Sequence, residues 1–364
     1  MSETPLHFKT ITELAELIKS KELSPVEVTD AMLDRIRERD QHYKSYATVM
    51  AEQARTSAQA AERAISTGNY LGPLHGVPIA VKDLCFTKGV KTMGATKALM
   101  NHVPDFDCTV VEKLNAAGAI ILGKLNLTEG AMAGYNPEFQ VPVNPWGANL
   151  WSGASSSGSG VATSAGLCYG SLGSDTGGSI RFPSAACGIV GIKPTWGRVS
   201  RYGVLALAES LDHIGPMTRS AADAGIILQA IAGLDLNDPT TLPAPVPGML
   251  EGIDQGVQGL RIGLDEEYVS GNTDPELVES VLAGIRVMEG LGAVIVPIKM
   301  PDLSGYMDTW GILCTSEALA AHEATYPSRR DDYGPWFQGW LDKGAGVTGA
   351  EYAKANNVRA ACRG

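Results

Sequence analysis

Residues 261–297 read RIGLDEEYVSGNTDPELVESVLAGIRVMEGLGAVIVP, and the order of elements in that stretch decides the fold class. Arg261-Ile262-Gly263-Leu264 and Val294-Ile295-Val296-Pro297 are short β-rich runs, and Asp274-Pro275-Glu276 between them signals a helix start. A strand, a helix and a strand in succession imply parallel neighbours joined by a right-handed crossover. The rhythm extends upstream. Val77-Pro78-Ile79-Ala80-Val81 and Ala119-Ile120-Ile121-Leu122 are β-rich, each followed by a helix-like segment. The expected class is therefore α/β: an α/β/α sandwich around a large mixed, mostly parallel sheet.

Residues 10–66 are helical in character. Ser24-Pro25-Val26-Glu27 forms a capping box with proline at the first helical position, and Val28, Met32, Leu33 and Ile36 follow at helical spacing. Residues 47–66 are Ala-rich and amphipathic. The organisation expected is one domain: a helical layer over 1–66 packed on a core over 67–364. Residues 235–260, with their Pro and Gly, read as a long connection. Residues 350–360 (AEYAKANNVRA) read as a helix with no closing strand after it.

The chain has 364 residues, 44% hydrophobic and 19% charged, enough to bury a large core. Its net charge of −11 disfavours phosphate backbones and anionic lipid, so neither nucleic acid nor membrane is expected as a partner. Six cysteines are scattered without a CxxC pair and read as free thiols. The N-terminus lacks a signal-peptide pattern, and no apolar run reaches bilayer length; the expectation is a cytoplasmic protein.

Three segments carry the candidate chemistry: GVPIAVKD (76–83), SGASSSGSG (152–160) and GSDTGGSIRFP (173–183). In the last, two glycines before Ser179 permit torsions closed to other residues and leave successive N–H groups free to converge on an oxyanion. Taken alone, it also reads as a polar turn. The 152–160 segment alone reads as a linker or capping turn, although the apolar run Val161–Gly166 behind it looks like a helix. Lys82 follows a buried-strand run, at the strand end where α/β sheets place their sites. At an ordinary lysine pKa roughly one amine in two thousand is neutral at pH 7, so a basic role needs burial and a pKa lowered by about three units. Rival chemistries lack support. There is no G-x-S-x-G elbow, and the six histidines show no metal-binding spacing. Gly118-x4-Gly123-Lys124 lacks the Ser/Thr of a phosphate loop. No cofactor and no metal are expected.

Together, in this order, the segments resemble the amidase-signature family. That family's pattern has a GVP-x-x-VKD lysine, a Gly/Ser-rich stretch, and GSDTGGSIR-x-P, followed by a G-x-x-G-x-KPT-x-G-x-VS run. Here the last two are GSDTGGSIRFP and CGIVGIKPTWGRVSRYG (187–203), with SLDHIGPMTRS (210–220) beyond. GKLNLTEGAMAG (123–134) and NPW (144–146) also fall where family members have comparable segments.

The resemblance implies a Ser-Ser-Lys triad: Ser179 as nucleophile, Ser155 as bridging serine held across a cis peptide bond, and Lys82 as base. It implies an oxyanion hole from Thr176, Gly177 and Gly178 with the Ser179 N–H, and an acyl pocket touching Ala131 and Met132. Ala154 and Ser157 stand where the family usually has glycine, and members usually run beyond this length, so a C-terminally shortened fold is expected. The activity implied is hydrolysis of a small or aryl-bearing amide, extending to esters or carbamates. Alternatives are the glutaminase-type subunit of a tRNA-dependent amidotransferase and an inactive relative acting as a binding protein. A homodimer is the expected assembly.

Overall fold

The computed structural model describes residues 4–362. The N-terminal helices are α1 (Ile11–Lys19), α2 (Pro25–Tyr43) and α3 (Ala51–Ser66). The Ser24–Glu27 capping box forms as the sequence predicts, with Pro25 in the first turn. One strand, β1 (Tyr46–Val49), interrupts this helical stretch. Four residues between two long helices give too little alternation to be recognised. Their pairing comes from the core, where Tyr46 lies opposite Leu125.

The remaining elements alternate. They are β2 (Pro78–Lys82), α4 (Thr109–Ala116), β3 (Ile120–Leu125), α5 (Ser157–Ser164), β4 (Gly170–Asp175), α6 (Arg181–Cys187), β5 (Val190–Gly191), β6 (His213–Thr218) and α7 (Ala221–Ile231). Beyond a connection without regular elements come β7 (Arg261–Leu264), α8 (Glu266–Ser270), α9 (Pro275–Gly290) and β8 (Val294–Pro297). Three helices follow: α10 (Ser304–Ala321), α11 (Pro335–Ala345) and α12 (Gly349–Ala361).

Six strands form a mixed sheet in the order β1-β3-β2-β4-β6-β5. Only the centre is parallel, β2 pairing in parallel with β3 and with β4; the pairs β1–β3, β4–β6 and β5–β6 are antiparallel. "Mostly parallel" therefore holds for the middle of the sheet alone. The reason lies in residues 176–212. Asp175, the last residue of β4, pairs with His213, the first of β6, so the intervening chain leaves and re-enters at the same sheet edge without crossing over. The crossover read from residues 261–297 does form: β7 and β8 pair in parallel with α9 between them, as a two-stranded sheet of their own.

Helices cover both faces of the large sheet. A side chain at Gly170 would meet Ile227 of α7, whereas one at Gly173, of opposite parity, would meet Ser156 at the head of α5. All residues of β2, β3 and β4 are buried. The apolar core runs from Ile11 to Leu341, drawing on the N-terminal helices, the sheet and α10–α11 together. Among the described residues no helix is long and apolar enough to cross a membrane.

Candidate active site

β2 and β4 are parallel neighbours, so Lys82 and the Ser174-Asp175 pair finish at the same edge of the sheet. Into that edge the turn before α5 brings Ser155 and Ser156, both fully buried. The segment that alone reads as a linker is thus interior chain, packed because Gly158 and Gly160 let α5 approach the backbone of Asn126 and Pro183. The Ala154–Ser155 peptide is cis.

Lys82 is completely buried, and its amine bonds three hydroxyls: Ser155 Oγ at 2.7 Å, Ser174 Oγ at 2.8 Å and Ser156 Oγ at 2.9 Å. Among the described residues no carboxylate pairs with it. Burial pushes its pKa down to about 7, opposed by the more distant Cys85, Asp212 and Asp175. Asp83, the neighbour with the sign to undo this, faces the other way. It pairs with the equally buried Lys124 at 3.4 Å and accepts the Met93 N–H. Burial nevertheless lifts the Asp83 carboxyl to about 6, with Lys124 pulling it back.

Ser179 sits half-buried beyond the Gly177-Gly178 pair, in a loop held by carboxylates. Asp175 accepts the N–H groups of Gly178 (2.8 Å) and Ile180 (3.2 Å) and takes a two-pronged contact from Arg181, at 2.9 Å on each oxygen. Those donors hold its carboxyl below the usual range even though burial acts to raise it. Gly178 needs to be glycine: its φ is +130°, and a Cβ there would lie 2.2 Å from the Phe182 ring. One correction follows for the expected oxyanion donors. The Gly178 N–H is already engaged by Asp175, whereas those of Gly177 and Ser179 have no hydrogen-bond partner among the described residues. The Ser179 carbonyl accepts the Ser156 N–H at 3.3 Å, tying the two serine segments together.

A cavity of about 210 Å³ opens on Ser179 and Thr176, walled by Trp151, Phe182 and Trp310, with Ala131 and Met132 also lining it. Its walls are mainly aromatic and its polar groups few, as in sites for flat apolar ligands. The structure thus brings Lys82 into contact with Ser155, and Ser179 into one cavity with Thr176, Gly177, Ala131 and Met132. Sequence reasoning missed Ser156 and Ser174, the other two hydroxyls on the lysine, and Trp310. The alternation of β4 points Ser174 to the same face as Leu172, a signal available in the sequence. Trp310 lies on α10, 134 residues beyond Thr176, and carries no local signal.

The Amidase family profile matches residues 27–363. "Putative amidase AmiD" of Mycobacterium tuberculosis (strain ATCC 25618 / H37Rv) is 46% identical over 343 residues, covering 94% of this chain and 72% of that protein. A subunit of the glutamyl-tRNA(Gln) amidotransferase of Geobacter metallireducens is 46% identical over 319 residues, which is 86% of this chain and 66% of that one. Among solved structures, a bacterial aryl acylamidase of the amidase-signature family superposes with a TM-score of 0.88 at 27% identity, covering 98% of this chain and 76% of that one. These similarities run through the mixed sheet that sets a lysine amine among serine hydroxyls beside a Gly-Gly-Ser loop, and the chain belongs to the amidase-signature family of amidohydrolases.

Proposed function

We propose that this amidohydrolase cleaves the C–N bond of a linear, non-peptide amide with a small or aryl-bearing acyl group, through an acyl-enzyme on Ser179. The observation that carries the reading is the Lys82 amine, buried, hydrogen-bonded to three hydroxyls and lowered to about 7, so that half of it is neutral near neutral pH. Neutral Lys82 accepts a proton from Ser155, which takes one from Ser179 as its oxygen bonds to the carbonyl carbon. The developing oxyanion meets the N–H groups of Gly177 and Ser179. As the C–N bond breaks, the proton returns from Lys82 through Ser155 to the leaving amine. Water then repeats the sequence on the ester and releases the acid.

The aromatic walls support an aryl group, since Trp151 and Phe182 stand 6.1 Å apart at the mouth of the cavity. The similarity to an amidotransferase component favours a second reading, release of ammonia from glutamine. One experiment addresses both: turnover of a panel holding 4-nitroacetanilide, benzamide, a phenyl ester, a carbamate and glutamine, by wild type and Ser179→Ala. The reading expects the anilide or benzamide to be hydrolysed and the variant to be inert. Glutamine as the sole substrate would replace it with the second reading, and an active Ser179→Ala would sink the mechanism.

A further inference from the structure

Asp212, in SLDHIGP, has no part in the mechanism above, yet it is buried at the active-site edge, 7% exposed. Its side chain gathers two segments. One oxygen accepts the Thr176 hydroxyl at 2.5 Å, and the two together accept the backbone N–H groups of Leu207 (2.9 Å) and Ala208 (3.1 and 3.2 Å). Leu207 and Thr176 both line the cavity at Ser179. On the far side a second cavity, of about 330 Å³, is lined by Asp212 together with Ser174, one of the hydroxyls on Lys82. The loop that bears Ser179 thus hangs between two carboxylates. Asp175 holds Gly178 and Ile180, Asp212 holds Thr176, and the Trp310 indole fixes the Thr176 carbonyl at 3.2 Å.

We infer that Asp212 is a positioning residue of the hydrolase: it anchors the Thr176–Ser179 loop through the Thr176 hydroxyl and places a buried negative charge behind the Lys82 amine. The inference rests on the reading of Lys82 as base and Ser179 as nucleophile. The groups facing Asp212 are Thr176 from the loop, Leu207 and Ala208 from the turn, Arg201, whose guanidinium reaches the Asp212 carbonyl at 3.4 Å, Lys82 from β2, and Cys314 from α10. Around Lys82 the other charge-bearing groups are Cys85 and Asp175. Burial lifts the Asp212 carboxyl to about 6, so it is ionised where Lys82 titrates, and its charge favours the ammonium. The residue therefore acts twice. It orients the loop, and it keeps the lysine from losing its basicity altogether, since a weaker base draws the serine proton less well.

The two actions separate by mutation. The readout is the rate at which a fluorophosphonate probe labels the intact protein as pH is raised, which needs no knowledge of the natural substrate. Thr176→Val removes the hydroxyl and keeps the charge. Its plateau rate should fall about tenfold while the midpoint of the acid limb stays in place. Asp212→Asn removes the charge as well, so its plateau should fall and its midpoint move to lower pH by about half a unit or more. An aspartate that served only the fold would lower the plateau without moving the midpoint. A wild-type midpoint in Asp212→Asn, or a wild-type plateau in Thr176→Val, overturns the inference. Should Asp212→Asn not fold, Asp212→Glu takes its place: a reduced plateau at the wild-type midpoint supports the inference, and an unchanged plateau or a shifted midpoint overturns it. Ser179→Ala run alongside keeps the two levels apart. Labelling that persists there defeats the nucleophile assignment itself, whatever the Asp212 variants do.

Discussion

Lys82 Nζ lies 2.7 Å from Ser155 Oγ, and neither atom belongs to a residue with any solvent exposure. A lysine in that position gives up its hydration shell for three hydroxyls, which solvate the ammonium less well than water does. The contact therefore has a thermodynamic signature as well as a chemical one.

The first prediction concerns stability against pH. The folded-state pKa of Lys82, about 7, is depressed from 10.5. The unfolded chain thus binds one more proton between those values, and stability from this group rises with pH across that window. Relative to Lys82→Met, which has nothing to titrate there, wild type should gain about 3–4 kcal/mol between pH 7 and pH 10. Urea unfolding of both proteins at several pH values measures it; parallel curves would contradict the burial of a charged amine.

The second concerns activity against pH. A base must be neutral, so kcat/KM should climb tenfold per pH unit below about 7 and level off above it. Lys82→Met should lower turnover by about a thousandfold or more at every pH. A profile flat from pH 5.5 to 8.5 would speak against Lys82.

Gly178→Ala tests the loop. At φ +130° a Cβ is strained whatever the space, and here it meets the Phe182 ring at 2.2 Å. The expected cost is about 1–3 kcal/mol of stability, with turnover down at least tenfold because Ser179 is next in the chain. Adding Phe182→Ala removes the clash but leaves the torsional strain, so rescue should be partial.

Lys124→Met separates structure from chemistry. Lys124 is fully buried like Lys82, but it is bonded to the Cys85 carbonyl at 2.6 Å and the Thr92 hydroxyl at 2.7 Å, and paired with Asp83. Removing it strands a buried carboxyl, for about 3–5 kcal/mol of destabilisation. Labelling of Ser179 per folded molecule should stay near wild type. A variant as stable as wild type would mean the pair contributes nothing.

Trp151→Ala tests the aromatic pocket. The ring is 60% exposed at the rim, so its loss should leave the fold intact. KM for aryl amides should rise about tenfold, as expected for losing one apolar wall, with small aliphatic amides little affected. An equal effect on both classes would place the acyl group elsewhere.

The site was legible because its parts are short and local. GVPIAVKD is a buried strand ending in lysine, and GSDTGGSIRFP needs glycines wherever it is found, since position 178 has a torsion that other residues resist. The crossover at 261–297 was legible for the same reason, each element being set by its own few residues. β1 was not, since its four residues become a strand only by pairing with β3.

From the sequence alone came the class of fold, the lysine and the two serines, and a family pattern specific enough to order them. It could not set the direction of a side chain. Lys82 and Asp83 are adjacent in the chain, and whether the lysine is a base or half of an ion pair depends on which way Asp83 turns. In the folded protein β3 presents Lys124 beside β2, Val81 lying opposite it, and the Asp83 carboxylate goes to that second amine. Lys82 is left among hydroxyls. Charge pairing in a dry interior is decided by whatever three-dimensional neighbour lies within a few ångströms, and that distance is a property of the packed sheet alone.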